Sequence, residues 1–217
     1  MPESKIHRYE GTNVVVTYDV ARCIHARECA RGLPAVFDPM AKPWVSPDAA
    51  NVDALEATIE RCPSGALKLA DREGNATEAT PPRNTATVTP NGPNYLVGDL
   101  GLRGPDGSIA LSETRMALCR CGGSGNKPFC DGSLRKNGFA SDGALPASVP
   151  VPEGTALSGT LRIKAIVNGP VKCEGPLVVT GADGRSSYAD PTFFCRCGHS
   201  ANKPYCDGTH KRIGFTS

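Results

Sequence analysis

The stretch CRCGHSANKPYCDGTHKRIGF (residues 195–215) repeats CRCGGSGNKPFCDGSLRKNGF (residues 119–139) without a gap, with 13 of 21 positions identical. A match of that length inside one chain marks a tandem duplication. The likeness continues upstream, where Asn91-Gly92-Pro93 answers Asn168-Gly169-Pro170 with a one-residue difference in spacing to the Cys-Arg-Cys. The repeated unit is therefore roughly 55 to 60 residues long. It opens on β-prone runs broken by Gly and Pro, as at residues 161–167 and 176–179, with a turn at Ala182-Asp183-Gly184. Small antiparallel sheets are expected there.

The repeat carries its chemistry in the spacing Cys195-x-Cys197-x8-Cys206-x3-His210. On an extended segment, side chains two residues apart project to the same side, so Cys195 and Cys197 can reach one metal. Cys206 and His210, four apart on a helical turn, again share a face. Three thiolates and an imidazole suit one zinc ion, and equally a two-iron cluster with Cys and Cys on one iron and Cys and His on the other. Asp131 and Asp207 each stand where they can cap a short helical turn after the third cysteine.

With C-x-C, then P-x-C-D-G-T-H and Gly-Phe, the segment resembles the CDGSH iron–sulfur domain of the NEET family. The resemblance covers both repeats, a little over half the chain. It implies a [2Fe–2S] cluster on Cys195, Cys197, Cys206 and His210, a small β-rich fold, and two such units pairing, here as an intrachain pseudo-dimer in a monomer. In the first repeat Cys119, Cys121 and Cys130 match, but Leu134 stands where the second has His210. Leucine cannot ligate, which leaves a cluster with an open or water-filled position, one with a ligand from elsewhere, or an altered residue. The intact surroundings favour a cluster.

Ten cysteines among 217 residues accompany only 6% aromatics, one Trp, 24 Gly and 19 Pro, so small units held by disulfides or metal are expected rather than a large aromatic core. The first residues, MPESKIHRYE, show no signal-peptide apolar region, and no run approaches the roughly 20 apolar residues that span a bilayer. The chain reads as cytoplasmic, without a membrane partner, and there closely spaced cysteines serve as metal ligands more readily than as disulfides. A net charge of +2 gives no basic surface for nucleic acid.

Three further cysteines, Cys23, Cys29 and Cys62, precede the repeats, with Pro63 after the last. Residues 14–18 read as a strand. Residues 53–62 read as a helix with Leu55, Ile59 and Cys62 on one face, and Asp53 with Glu56 as its capping box. Cys-Pro-Ser-Gly-Ala-Leu and the Cys23/Cys29 spacing resemble a divergent mono-cluster ferredoxin, with Ala26 where a further ligand usually sits. That resemblance implies [3Fe–4S] on Cys23, Cys29 and Cys62, or [4Fe–4S] with a noncysteine ligand, for which His25 and Glu28 are the nearby residues. The fold class expected is α+β: a ferredoxin-like α/β unit at 8–75, then CDGSH domains at 83–140 and 159–217, joined by linkers at 76–90 and 141–159. Cys173 reads as a packed thiol, His7 and His199 as surface residues, and Lys127 and Lys203 as solvent-exposed or as supports beside the clusters.

No G-x-S-x-G, P-loop or G-x-G-x-x-G is present, so an iron–sulfur electron-transfer or redox-sensing protein is expected rather than an enzyme. Its partner would be a redox protein or, for a cluster or iron donor, an apo-protein acceptor; a zinc-stabilised interaction module is the remaining reading. Because an imidazole must give up a proton to bind metal, acid competes with iron at His210. His210→Cys should slow acid bleaching of the visible absorption; an unchanged rate would remove His210 as the labile ligand.

Overall fold

The computed structural model describes residues 5–104 and 106–217, which divide into two compact units, one running to Ala79 and one spanning Thr80–Ser217. It is small and mostly β, with few helices. Among the described residues no helix is long and apolar enough to cross a membrane.

In the first unit, strands β1 (Ile6–Glu10), β2 (Val14–Asp19) and β3 (Leu67–Asp71) form an antiparallel sheet with β2 in the centre. Val14 and Val16 alternate inward on β2, Leu67 and Leu69 on β3, and these pack with Val36, Phe37, Leu55 and Ile59. Between β2 and β3 lie helices α1 (Glu28–Gly32) and α2 (Val52–Ile59). The expected capping box is displaced: Asn51, not Asp53, caps α2, its Oδ1 accepting the Ala54 N–H at 2.8 Å. An amide oxygen just before the first helical turn meets these otherwise unpaired N–H groups best. The helix also ends at Ile59, so Cys62 lies in the turn beyond it, its N–H bonded to the Ile59 carbonyl at 2.9 Å.

The second unit holds eight strands among its described residues: β4 (Thr85–Val88), β5 (Asn94–Arg103), β6 (Ile109–Leu118), β7 (Leu161–Ala165), β8 (Val171–Glu174), β9 (Val178–Thr180), β10 (Ser186–Tyr188) and β11 (Thr192–Phe194). Both repeats enter one mixed sheet, ordered β10-β9-β4-β5-β7-β8-β11 with β6 also on β5, rather than separate antiparallel sheets. Parallel pairs join the repeats: β4 lies beside β9 and β5 beside β7. Each repeat alone would leave apolar strands such as Ala86–Val88 and Leu161–Ile163 uncovered, and interleaving buries them in one core with Leu96, Leu100 and Val179.

Both expected linkers are partly structured. β4 falls inside residues 76–90 because alternate Ala86 and Val88 are fully buried. Within 141–159, Leu145 is buried in the core and Val149 bridges Ser187. A Thr/Pro-rich composition concealed the first and a Pro-, Gly- and Ser-rich one the second, since a few apolar residues suffice to dock a segment.

The upstream Asn-Gly-Pro has a structural reason. Arg120, buried to 2% exposure, donates from Nε to the Gly92 carbonyl at 2.8 Å and from Nη2 to the Thr89 carbonyl at 2.7 Å. Arg196 does the same to Gly169 at 2.9 Å and Ile166 at 2.6 Å. Each guanidinium also lies over the Phe of its own Gly-Phe, 5.4 Å from Phe139 and 5.6 Å from Phe215. The arginine inside each Cys-Arg-Cys thus ties the cysteine loop to the start of its repeat. Replacing Arg196 by Met removes the side-chain donor from both the Gly169 and the Ile166 carbonyls, and should lower the stability of this unit by about 2–4 kcal/mol. Urea unfolding of the full chain checks this; an unchanged midpoint would contradict it.

Candidate metal centres

In the second repeat, the Cys195 N–H bonds the Pro204 carbonyl at 2.8 Å and the Cys206 N–H bonds the Phe193 carbonyl at 2.9 Å. These bonds fold the segment back so that Cys195 and Cys206 emerge side by side. The Sγ atoms of Cys195 and Cys197 stand 3.7 Å apart, and Cys206 Sγ stands 3.3 Å from His210 Nδ1 across the start of α3 (Thr209–Arg212). Two thiolates bound at about 2.3 Å to one tetrahedral metal lie about 3.7 Å apart, so the first pair already has the bite of a metal chelate. Among the described residues no group of three or more His, Cys, Asp or Glu side chains closes around a single ion. The donors stand as two pairs.

A carboxylate holds the loop. Asp207 accepts the Thr209 N–H at 2.9 Å and the Ala201 N–H at 2.8 Å, and these bonds hold its pKa well below the usual carboxylate range. Asp131 accepts from Ser133 at 2.9 Å and Gly125 at 2.8 Å; burial opposes its ionisation, but the bonds prevail. Each aspartate thus serves its short helical turn, as expected, from one residue before the cap position. Lys127 and Lys203 are not free solvent groups: each Nζ donates to a loop carbonyl, of Ser124 and Ser200, at 2.7 Å.

The first site shares this framework. Cys119 and Cys121 Sγ atoms are 3.7 Å apart, the Gly123 N–H points to Cys121 Sγ at 3.4 Å, and the Gly132 N–H to Cys130 Sγ at 3.4 Å. Within the pair, the hydrogen bond between the two sulfurs lowers the pKa of Cys121 and raises that of Cys119, with burial adding to the rise at Cys119. Burial pushes Cys130 up to about 11. Leu134, 8% exposed, occupies the place of His210 on the turn Ser133–Arg135 and brings no donor.

The two sites meet. Gly122 and Gly198, with φ of 76° and 85°, lie so close that an added Cβ would fall 2.7 Å from the Cys197 carbonyl oxygen and 2.8 Å from that of Cys121, respectively. The cysteine loops therefore pack backbone on backbone. Charge crosses the same contact. Burial lowers the pKa of Arg120 to about 10 while the thiolate of Cys195 opposes it, and Arg196, lowered by burial, feels Cys119 in the same way.

In the first unit Cys23, Cys29 and Cys62 line one pocket with Tyr18, Ala26 and Trp44. Arg22 Nη2 donates to the Ser64 carbonyl at 2.8 Å, tying the Cys23 loop to the segment after Cys62. Burial, and then a hydrogen bond to Cys23, push the Tyr18 phenol up; burial raises Cys29. His25, with φ of 54°, places Nδ1 3.9 Å from Cys23 Sγ. Glu28 also lines this pocket. Tyr18 escaped the sequence reading, although the period of two along β2 places it on the face of Val14 and Val16. Cys173 is a buried thiol in the core, as expected; burial pushes its pKa up. His199 is exposed, whereas His7 is half-buried and stacks beside Tyr9 and Tyr18.

Paired thiolates on a loop built twice, joined in the second copy by an imidazole, are the donors of a metal-binding protein. Residues 9–72 match the family described as divergent 4Fe-4S mono-cluster, and residues 91–133 and 168–211 match the family described as iron-binding zinc finger, CDGSH type. The chain is also 40% identical over 60 residues to the uncharacterized protein YjdI of Escherichia coli (strain K12), a stretch covering 28% of this chain and 79% of that protein. The same figures hold for YjdI of Escherichia coli O157:H7. The chain belongs to these iron–sulfur families, carrying one divergent mono-cluster domain and two CDGSH domains.

A side chain at Gly198 fits neither the left-handed backbone nor the space beside Cys121. Gly198→Ala should lower the urea midpoint of the Thr80–Ser217 unit and speed chelator-driven iron loss from both repeats. Loss confined to the second repeat would contradict the shared contact.

Proposed function

We propose that the protein is a cytoplasmic one-electron carrier or redox sensor, not an enzyme, in which the two CDGSH repeats pair within one chain as a pseudo-dimer. The observation that carries this reading is the backbone contact between the Cys121-Gly122 and Cys197-Gly198 loops. It sets a ligand of one site against a ligand of the other, where an electron can pass without a second molecule. Cys195, Cys197, Cys206 and His210 would hold one [2Fe–2S] cluster. Cys119, Cys121 and Cys130 would hold a second, with its fourth position open, water-filled or met by a ligand from elsewhere, since Leu134 supplies none. Cys23, Cys29 and Cys62 would hold [3Fe–4S], three thiolates being what that pocket supplies, with [4Fe–4S] requiring a noncysteine ligand. When bound, such clusters supply a one-electron couple whose potential follows charge, hydrogen bonds to sulfur and solvent exposure.

The protein's own part is to set those terms. Arg120 and Arg196 bring buried positive charge near the opposite repeat's thiolates, favouring the more negative, reduced state. The Asp207 and Asp131 bonds fix the third cysteine against its turn, which limits reorganisation as charge changes. Tyr18 offers a hydroxyl to Cys23 in a pocket otherwise lined largely by apolar groups.

A second reading, donation of a cluster or iron to an apo-protein, is favoured by one observation: Cys206 and His210 are only half-buried, whereas Cys195 and Cys197 are buried. Repeated dithionite reduction and air reoxidation of anaerobically purified protein separates the two. A carrier keeps its visible and circular-dichroism bands through successive cycles and passes no iron to an apo-ferredoxin; transfer on mixing would favour donation. Colourless protein with stoichiometric zinc would support the interaction-module reading instead.

A further inference from the structure

The repeats differ at two positions that touch each other. Gly123 and Asn137 of the first correspond to His199 and Ile213 of the second. A Cβ added at Gly123 would fall on Asn137 Nδ2, with Cys121 Sγ 3.8 Å away, so the missing side chain is the space that the carboxamide fills. The orientation of that carboxamide is set independently: Asn137 Oδ1 accepts the Phe139 N–H at 3.2 Å, which turns Nδ2 toward the cysteine loop. This places the carboxamide nitrogen beside Cys121, whose sulfur already receives the Gly123 N–H at 3.4 Å. In the second repeat an isoleucine offers no donor, and the side chain of His199 takes the place of the hydrogen at Gly123.

We propose that Asn137 is a positioning residue of the first CDGSH site, donating an N–H to the Cys121 thiolate and making the two sites electronically unequal. The proposal rests on the reading that the first site holds a cluster. A donor on a ligating sulfur withdraws electron density, favours the reduced state and raises the potential. The first site, which lacks the imidazole of the second, thereby gains a hydrogen bond to sulfur that the second does not have. Because Asn137 is solvent-exposed, water competes for the bond and the effect is modest.

Potentiometric titration of the full-length protein, followed by EPR and visible circular dichroism, tests this. Cys119→Ala first identifies the signal of the first site by its loss. Asn137→Ile, which installs the second repeat's residue, should then lower the potential of that signal by about threefold in reduction equilibrium, or about 28 mV at 59 mV per tenfold for a one-electron couple. Asn137→Asp, replacing a donor by a negative acceptor, should lower it further, while the other signals stay fixed. No shift, an equal shift in both CDGSH signals, or a rise with Asp would overturn the role of Asn137 while leaving the cluster reading standing. If Cys119→Ala removes no iron, the first-site reading fails, and the proposal with it.

Discussion

Gly122 and Gly198 allow the two cysteine loops to lie against each other with no side chain between, and the architecture of the second unit depends on that contact. The interleaved sheet brings the repeats together through the parallel pairs β4 with β9 and β5 with β7. The buried arginines fasten each loop to its own Asn-Gly-Pro turn. Left-handed glycines then permit the last approach, which any Cβ would block. Two thiolate-rich sites brought so close would repel when ionised, and the guanidinium of each loop sits where it feels the other site's cysteine.

The duplication makes the sites alike, and substitutions within it make them different. The bonds accepted by Asp131 and Asp207, those donated by the Ser124 and Ser200 hydroxyls to the Phe129 and Tyr205 carbonyls, and those donated by Lys127 and Lys203 recur with nearly the same lengths in both repeats. Leu134 removes a donor from the first site, while Gly123 and Asn137 rebuild its other side. A site losing its function would have no need for paired sulfurs at chelating distance or for N–H groups aimed at Cys121 and Cys130.

The candidate donors were legible because metal chemistry demands particular side chains at short spacing, and Cys195-x-Cys197 with Cys206-x3-His210 states that demand within 16 residues. The strands were legible where apolar residues alternate, as at Val14 and Val16. What the sequence hid depends on long-range pairing. Ala86 and Val88 look like linker residues until β9, from the other repeat, covers them. Tyr18 and Cys23 meet only because the chain turns at Asp19 and Arg22 is pinned to Ser64. The cap of α2 moved from Asp53 to Asn51, a shift of the size by which local cap signals compete.

The ten cysteines divide as three, three, three and one, with Cys173 buried in the core and nine thiols assigned to three centres. Iron and acid-labile sulfide analysis of anaerobically purified full-length protein, with EPR before and after reduction, measures this division most directly. Three filled centres give about seven irons per chain, a [3Fe–4S] signal in the oxidised protein and [2Fe–2S] signals on reduction. Two irons per chain, or zinc without sulfide, would contradict it.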